Sequence, residues 1–302
     1  MKKSLERIHK VIAGIIFSVL ALPVCAQQES LSEELHQAIK EVKAQIGIAV
    51  IIDGKDTVTV NNTTRYPMLS VFKFHQALAV MDYLNRHHFQ VDTRLHIDKT
   101  DLKPDTYSPL RDQYPNGNIE MSVMELLKYT LQQSDNNACD ILFKYIGGPK
   151  VTDAYIRSLG IRNFAITATE EDMHRNVSTS YSNWTSPLEA AILLEIFLYE
   201  DLFPESYREF IYQTMIECQT GKGRLPFPLP EEVVIGHKTG SSDRNEKGQR
   251  IGTNDIGFVI LPNGHHYSIA VFVKDSEEQD KTNEGIIAEI SRIVYERAKS
   301  LN

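Results

Sequence analysis

Ser70-Val71-Phe72-Lys73 follows Tyr66-Pro67-Met68-Leu69 and opens a helical pattern over residues 72–84. A spacing of three sets a hydroxyl and an amine on one helix face, where the amine can take or return the hydroxyl proton. The unpaired N–H groups of a helix start favour negative charge beside them. The four residues therefore read as a nucleophile with a neighbouring base. Alone the signal is weak, because average usage gives roughly one S-x-x-K per 300 residues by chance.

Two tripeptides further along change that weight. Ser134-Asp135-Asn136 falls in a loop between two helical patterns and offers a second hydroxyl to relay a proton and an amide to hold a substrate carbonyl. Lys238-Thr239-Gly240 ends an apolar strand: the lysine supplies a cation for a substrate carboxylate, the threonine a hydroxyl, and the glycine lets a ligand approach backbone N–H groups closely. The three in this order arise together by chance far less often than any one of them.

Periodicity outward from these motifs divides the chain into three zones. Residues 30–45 have the apolar spacing of an amphipathic helix (Leu31, Leu35, Ile39, Val42), and residues 48–52 and 57–60 read as a hairpin turning at Asp53-Gly54-Lys55. From residue 69 to about 218 the helical period dominates, over 72–84, 123–132, 138–146, 187–198 and 207–217. Strand signals return at 233–238, 255–261 and 267–274, the last two joined by Pro262-Asn263-Gly264-His265, and a final helix is expected over 283–301. One αβ layer made from both termini with a helical insertion accounts for this order: residues 27–67 and 219–302 form the first domain, 68–218 an all-helical second, with the active site between them.

Composition removes several function classes. The 302 residues are 42% hydrophobic and 24% charged, enough for a sizeable core, and the formal charge is −8 with no long basic run, so nothing attracts a nucleic-acid backbone. The first 26 residues read as a cleaved secretory signal: Lys2, Lys3, Arg7 and Lys10, an apolar run over 11–22, then Val24-Cys25-Ala26 before Gln27. The competing reading is lipid attachment at Cys25, against which the bulk of Val24 argues. The apolar run is about half the ~20 residues of a spanning helix, so a periplasmic protein without stable membrane insertion, acidic and monomeric, is expected. Beyond the signal only Cys139 and Cys218 remain, each in an apolar helical pattern, and separate thiols are favoured over a bridge.

With these motifs in place the chain resembles the penicillin-recognising serine enzymes, and within them the class A β-lactamases, over essentially its whole mature length. The shared order is S-x-x-K, Tyr107-Ser108-Pro109, S-D-N, an acidic loop, then His237-Lys238-Thr239-Gly240-Ser241. The resemblance implies the α+β serine β-lactamase/D,D-peptidase-like fold, an antiparallel sheet flanked by N- and C-terminal helices plus an all-helical domain. It implies hydrolysis of cephalosporins and penicillins, hence antibiotic resistance, with no cofactor. Thr169-Glu170-Glu171-Asp172-Met173-His174 looks like the family's loop segment E-x-x-[LM]-N, which puts Glu170 on the catalytic acid and His174 where most members have Asn. His174 with Asn183-Trp184 is similar to the extended-spectrum and cephalosporinase branch.

Further departures fit that branch. The family's Arg–Asp brace of the acidic loop is matched by Ala168 and Asn183, which cannot form an ion pair, so a different loop fold is expected. Arg224 best matches the arginine for the substrate carboxylate, with Arg250 the second candidate. By resemblance, the catalytic set is Ser70, Lys73, Ser134 and Glu170; Tyr107, Asn136, His174, Arg224, Lys238, Thr239 and Ser241 bind substrate, and the Ser70 and Ser241 N–H groups form an oxyanion hole. Whether Lys73 or Glu170 is the acylation base stays open. The rivals are a D,D-peptidase, which lacks the deacylating Glu, and a β-lactam sensor that acylates once.

Other residues receive plain readings. Adjacent histidines rarely point at one ion, so His87-His88 and His265-His266 are expected to be solvated loop residues and no metal site is expected. Glu171 and Asp172 are read as solvated loop charges, with a one-residue frame slip as the rival to Glu170. Residues 225–230, Leu-Pro-Phe-Pro-Leu-Pro, read as a stiff connection.

Overall fold

A computed structural model describes residues 30–301, so the signal-peptide reading lies outside the described residues. The chain opens with α1 (Leu31–Ile39), β1 (Gln45–Ile52), β2 (Asp56–Val60) and β3 (Tyr66–Pro67), and a 3-10 turn, Leu69–Val71, leads into α2 (Phe72–His87); two further 3-10 segments lie at Lys99–Asp101 and Val177–Ser182. Then come β4 (Arg94–Ile97), α3 (Pro109–Gln113), β5 (Ile119–Ser122), α4 (Val123–Gln132), α5 (Asn136–Ile146), α6 (Pro149–Ser158) and β6 (Phe164–Ala165). The remainder is α7 (Glu170–Arg175), β7 (Trp184–Thr185), α8 (Pro187–Tyr199), α9 (Glu205–Ile216), β8 (Val234–Ser241), β9 (Arg250–Ile260), β10 (His266–Ser276) and α10 (Asp280–Lys299).

The five-stranded antiparallel sheet has the order β2-β1-β10-β9-β8, so strands from the two ends of the chain meet where β1 pairs with β10. Its central strands are buried on both faces, and their alternation sorts two cores. Ile48, Val50, Ile269, Val271 and Val273 meet α1 and α10 on one side; Ala49, Ile51, Ile256, Phe258 and Phe272 meet the helical part on the other. Each fully buried aliphatic or aromatic side chain contributes about 1.5–3 kcal/mol.

Several helix starts are written locally. Ser30 with Glu33 and Ser122 with Glu125 form reciprocal capping boxes, Asp135 caps α5 through the Ala138 N–H, and Pro149 and Pro187 occupy first helical positions. The first helix stops at Ile39 rather than 45, because Gln45 is drawn into register opposite Lys274. Pairing also lengthens the later strands: β9 reaches back to Arg250 and β8 runs on to Ser241, so Lys238-Thr239-Gly240 lies within its strand.

The middle of the chain is not purely helical. It holds the β4–β5 hairpin and a small β3-β7-β6 sheet, and the short helices α3, α6 and α7 add to those expected. The 3-10 turn before α2 packs against β8 and β9, which brings the helical part to the open edge of the sheet. A β-carbon on Gly240 would stand 2.6 Å from the Met68 carbonyl oxygen, so glycine is what permits that approach.

Candidate active site

The 3-10 turn Leu69–Val71 carries Ser70 and the buried α2 that follows carries Lys73. Leu69, just before Ser70, is held at φ +49°, and Ser134 at φ +61°, left-handed values that cost non-glycine residues energy and mark over-determined positions. Lys73 is wholly buried, so its charge needs partners. It has three: Nζ donates to the Ser134 carbonyl (2.7 Å) and Asn136 Oδ1 (2.6 Å) and stands 2.9 Å from Glu170 Oε1. The Ser70 hydroxyl donates to the same Glu170 oxygen at 3.2 Å.

Glu170 is the first residue of α7 and nearly buried, whereas Glu171 faces Lys103 and Arg175. The geometry therefore separates the two acids that one residue of frame slip would exchange. Glu171 and Asp172 are not simply solvated: the first is ion-paired, and the second closes a capping box with Thr169. Asp140, one turn along α5 from Asn136, accepts the backbone N–H groups of Glu170 (2.9 Å) and Glu171 (2.8 Å) and so holds the start of α7. Burial, and then repulsion from Glu170, pushes its carboxyl up to about 7. No motif spacing pointed to Asp140.

No ion pair joins Ala168 and Asn183; the Asn183 amide instead accepts the N–H groups of Thr167 (2.8 Å) and Ala168 (3.0 Å) and donates to the Ala168 carbonyl (2.9 Å). A neutral amide can do this because its oxygen and nitrogen match both faces of a peptide unit.

Asp135 ties the opposite wall together, receiving the Leu110 N–H (2.6 Å) and the Ser108 hydroxyl (3.0 Å). Asn136 Oδ1 is taken by Lys73, and Nδ2 donates one hydrogen to Thr106 Oγ1 at 2.7 Å, leaving the other. Tyr107 stands exposed at the rim, 58% accessible.

From the sheet edge, Lys238 Nζ donates to Ser134 Oγ and to its neighbour's carbonyl at Thr239, both at 2.9 Å. Burial, then the charge of Lys73, draws Lys238 down to about 7. Arg224 is buried beside this strand, donating to the Gly240 (3.2 Å) and Asn254 (2.9 Å) carbonyls and to Ser241 Oγ (2.7 Å), with Glu284 at 3.3 Å. Arg250 instead pairs with Asp280 away from the cleft lining. Because β8 is an edge strand and Ser242 N–H bonds Gly252 across to β9, alternation turns the Ser241 N–H outward.

Ser70, Ser134, Asn136, Glu170, exposed His174, Tyr107, Arg224, Thr239 and Ser241 line one cleft of about 800 Å³; Lys73 and Lys238 lie beneath it. Sequence reasoning did not single out Thr106 or Thr220, which also line it. Outside the cleft, His265 and His266 are not solvated: they are half-buried against Asp53, at 2.7 Å for His265 Nδ1. Both remaining cysteines are free thiols, Cys139 buried and Cys218 partly so. Among the described residues no helix is long and apolar enough to cross a membrane.

The serine, lysine and carboxylate at one cleft between sheet and helices define an acyl-transfer hydrolase, and comparison with known proteins gives the family. The profile described as "Beta-lactamase enzyme family" matches residues 30–298. A β-lactamase of Bacteroides uniformis is 43% identical over 283 residues, covering 93% of this chain and 96% of the relative. The extended-spectrum β-lactamase PER-1 of Pseudomonas aeruginosa is 34% identical, over 93% and 92%. Among solved structures, the TLA-3 extended-spectrum β-lactamase superposes with a TM-score of 0.87 at 46% identity (88% of this chain, 98% of that one). A class A representative from Bacteroides cellulosilyticus does so with 0.87 at 44% (90% and 100%). The chain belongs to the β-lactamase enzyme family, and within it to class A, whose members hydrolyse the β-lactam amide.

Proposed function

We propose that this class A β-lactamase works through an acyl-enzyme on Ser70, with Glu170 as base in both half-reactions and a leaning toward cephalosporins. One observation carries the reading: a single Glu170 oxygen stands within reach of both the Ser70 hydroxyl and the Lys73 ammonium. An ammonium has three donors and no acceptor, and Lys73 has three acceptors around it. All three neighbours of Lys73 Nζ are acceptors, and we assign the serine proton to Glu170, directly or through water, as Ser70 attacks the lactam carbonyl.

The other roles follow from what each group can give. The N–H groups of Ser70 and Ser241 stabilise the oxyanion. Ser134 accepts from Lys238, which leaves its own proton for the departing lactam nitrogen. The remaining Asn136 N–H takes a substrate carbonyl, and Arg224 with Lys238 and Thr239 takes the carboxylate. Once the proton it took has passed back to Ser134, Glu170 is a carboxylate again and activates the water that hydrolyses the ester, with His174 on the same short helix and Tyr107 at the rim shaping the substrate side. The extended-spectrum relatives and the roomy cleft support the cephalosporin leaning.

The finer points belong to the same reading: residues 27–67 with 219–302 and 68–218 as the two domains flanking the site, export with cleavage after about Ala26, a periplasmic monomer, and neither metal nor cofactor. The test is steady-state turnover of a chromogenic cephalosporin together with intact-mass analysis of Glu170→Gln. Many turnovers by the wild type are expected, and in the variant a Ser70 adduct that forms more slowly and then persists. A wild type that stalls after one equivalent, or a variant that turns over normally without adduct, would return the peptidase and sensor readings.

A further inference from the structure

Thr220 and Cys218, at the end of the α9 segment, form a hydrogen-bond chain that the mechanism above leaves unused. Thr220 Oγ1 lies 2.6 Å from Thr239 Oγ1, so one hydroxyl donates to the other and a single proton sits between them. Gly221 permits this contact: it has φ +67°, and a β-carbon there would stand 2.4 Å from Thr239 Cγ2. Behind Thr220, Cys218 Sγ is 3.4 Å from its hydroxyl and 3.8 Å from its carbonyl oxygen. Cys218 also hydrogen-bonds His237, whose Nδ1 sits 3.0 and 3.1 Å from the two oxygens of wholly buried Asp255.

We propose that Thr220 and Cys218 are positioning residues that aim the Thr239 hydroxyl proton at the substrate carboxylate. The proposal rests on the carboxylate reading of Arg224, Lys238 and Thr239. If Thr239 donated to Thr220, only its lone pairs would face the cleft and would repel an anion. If Thr220 donates, Thr239 accepts on one side and keeps its own O–H for the substrate.

The groups behind Thr220 select the second arrangement. Burial works against a charged His237, but the charge and hydrogen bond of Asp255 outweigh it and raise the ring well above its ordinary value. An imidazolium donates from both nitrogens, Nδ1 to Asp255 and Nε2 to Cys218. The Cys218 S–H is left to donate to Thr220, whose hydroxyl is nearer (3.4 Å) than its carbonyl (3.8 Å); with the hydroxyl as acceptor, Thr220 donates to Thr239 and Thr239 to the cleft. With the thiol on the Thr220 hydroxyl, every donor from His237 onward points the same way.

Ionisation of Cys218 would reverse this polarity, since a thiolate only accepts. Around the sulfur stand His237 and Lys238 from β8, Asp255 of β9 behind His237, and Glu217 on its own segment, held by Gln132 of α4. Burial pushes the thiol up, but the hydrogen bond and charge of His237, then Lys238, bring it below its ordinary value.

The test compares a chromogenic cephalosporin with its methyl ester, which lacks the anion. Thr220→Val and Thr220→Ala are expected to raise KM for the acid about fivefold, the worth of one hydrogen bond, with kcat within about twofold and the ester unaffected, whereas Thr220→Ser restores the wild-type values. In Cys218→Ser, whose hydroxyl does not ionise, the part of the alkaline rise in KM due to the thiol disappears, while the part due to Lys238 stays. Thr220 variants that leave the acid-to-ester ratio unchanged, or a Cys218→Ser pH profile identical to wild type, overturn the proposal. Arg224→Ala run alongside separates the failures: if it too leaves that ratio unchanged, the carboxylate reading itself is wrong.

Discussion

Asn183 grips the Ala168 peptide unit from both sides, Nδ2 donating to its carbonyl at 2.9 Å and Oδ1 accepting its N–H at 3.0 Å. This fastens the segment entering α7 to the one leaving it, two residues before Glu170. Asp140 holds the next two N–H groups. The base is thus positioned by side-chain acceptors of backbone N–H groups rather than by an ion pair across the loop.

Asn183→Ala removes three hydrogen bonds in a buried place and leaves two N–H groups and a carbonyl without them. We expect a loss of about 2–4 kcal/mol in stability. Acylation and deacylation should both slow, because the carboxylate that serves as base in each shifts. Denaturant unfolding with a burst-phase assay reads both; unchanged stability and an unchanged steady-state rate would show that the amide grip is unimportant.

Asp140 gives a pH dependence whose sign is fixed by its upward shift from 3.8 to about 7. The folded protein holds this proton more tightly than the unfolded chain does, so the contribution to stability is complete below pH ~4 and is lost as pH rises through about 7. Wild-type melting temperature should therefore fall relative to Asp140→Asn across pH 4–7. Parallel profiles for the two proteins would exclude Asp140 as their source.

For the arginines, Arg224→Ala should lower kcat/KM for carboxylate-bearing β-lactams about 10–100-fold, a charge-assisted hydrogen bond's worth. Arg224→Lys should recover only part of this, because an ammonium cannot reproduce the fork that reaches Gly240, Asn254 and Ser241 together. Arg250→Ala, losing a partly exposed ion pair with Asp280, should stay within a few fold. The opposite ranking would exchange their roles.

The two loop acids should differ by a wide margin. Glu171→Gln breaks contacts to Arg175 and Lys103 at the surface, and turnover should stay within a few fold. Glu170→Gln should slow acylation and then hold the acyl-enzyme. Equal effects at both positions, by stopped-flow and intact mass, would mean that α7 does not hold the frame described.

Much of this was legible before any coordinates. Capping residues such as Ser122 with Glu125 and Asp135 ahead of Ala138 announce helix starts because their partners lie three residues away. Likewise the spacing of Ser70 and Lys73 already implies a shared helix face. The order of the S-x-x-K, S-D-N and K-T-G motifs identified the family because those residue types carry the chemistry itself. Local geometry and side-chain identity are properties a linear sequence states outright.

What only the tertiary structure decided are contacts between distant segments. The Ala168–Asn183 grip spans 15 residues, Lys238 to Ser134 spans 104, and Asn254 reaches back 187 to the Pro67 carbonyl. Lys73 is saturated with acceptors because α2, α5 and α7 converge on it, and His265 and His266 leave solvent because the β1–β2 turn brings Asp53 beneath them. Hydrophobic period reports which face of an element is buried and not which element covers it, so a polar side chain's partner, and with it its charge state and role, emerges only when the elements pack.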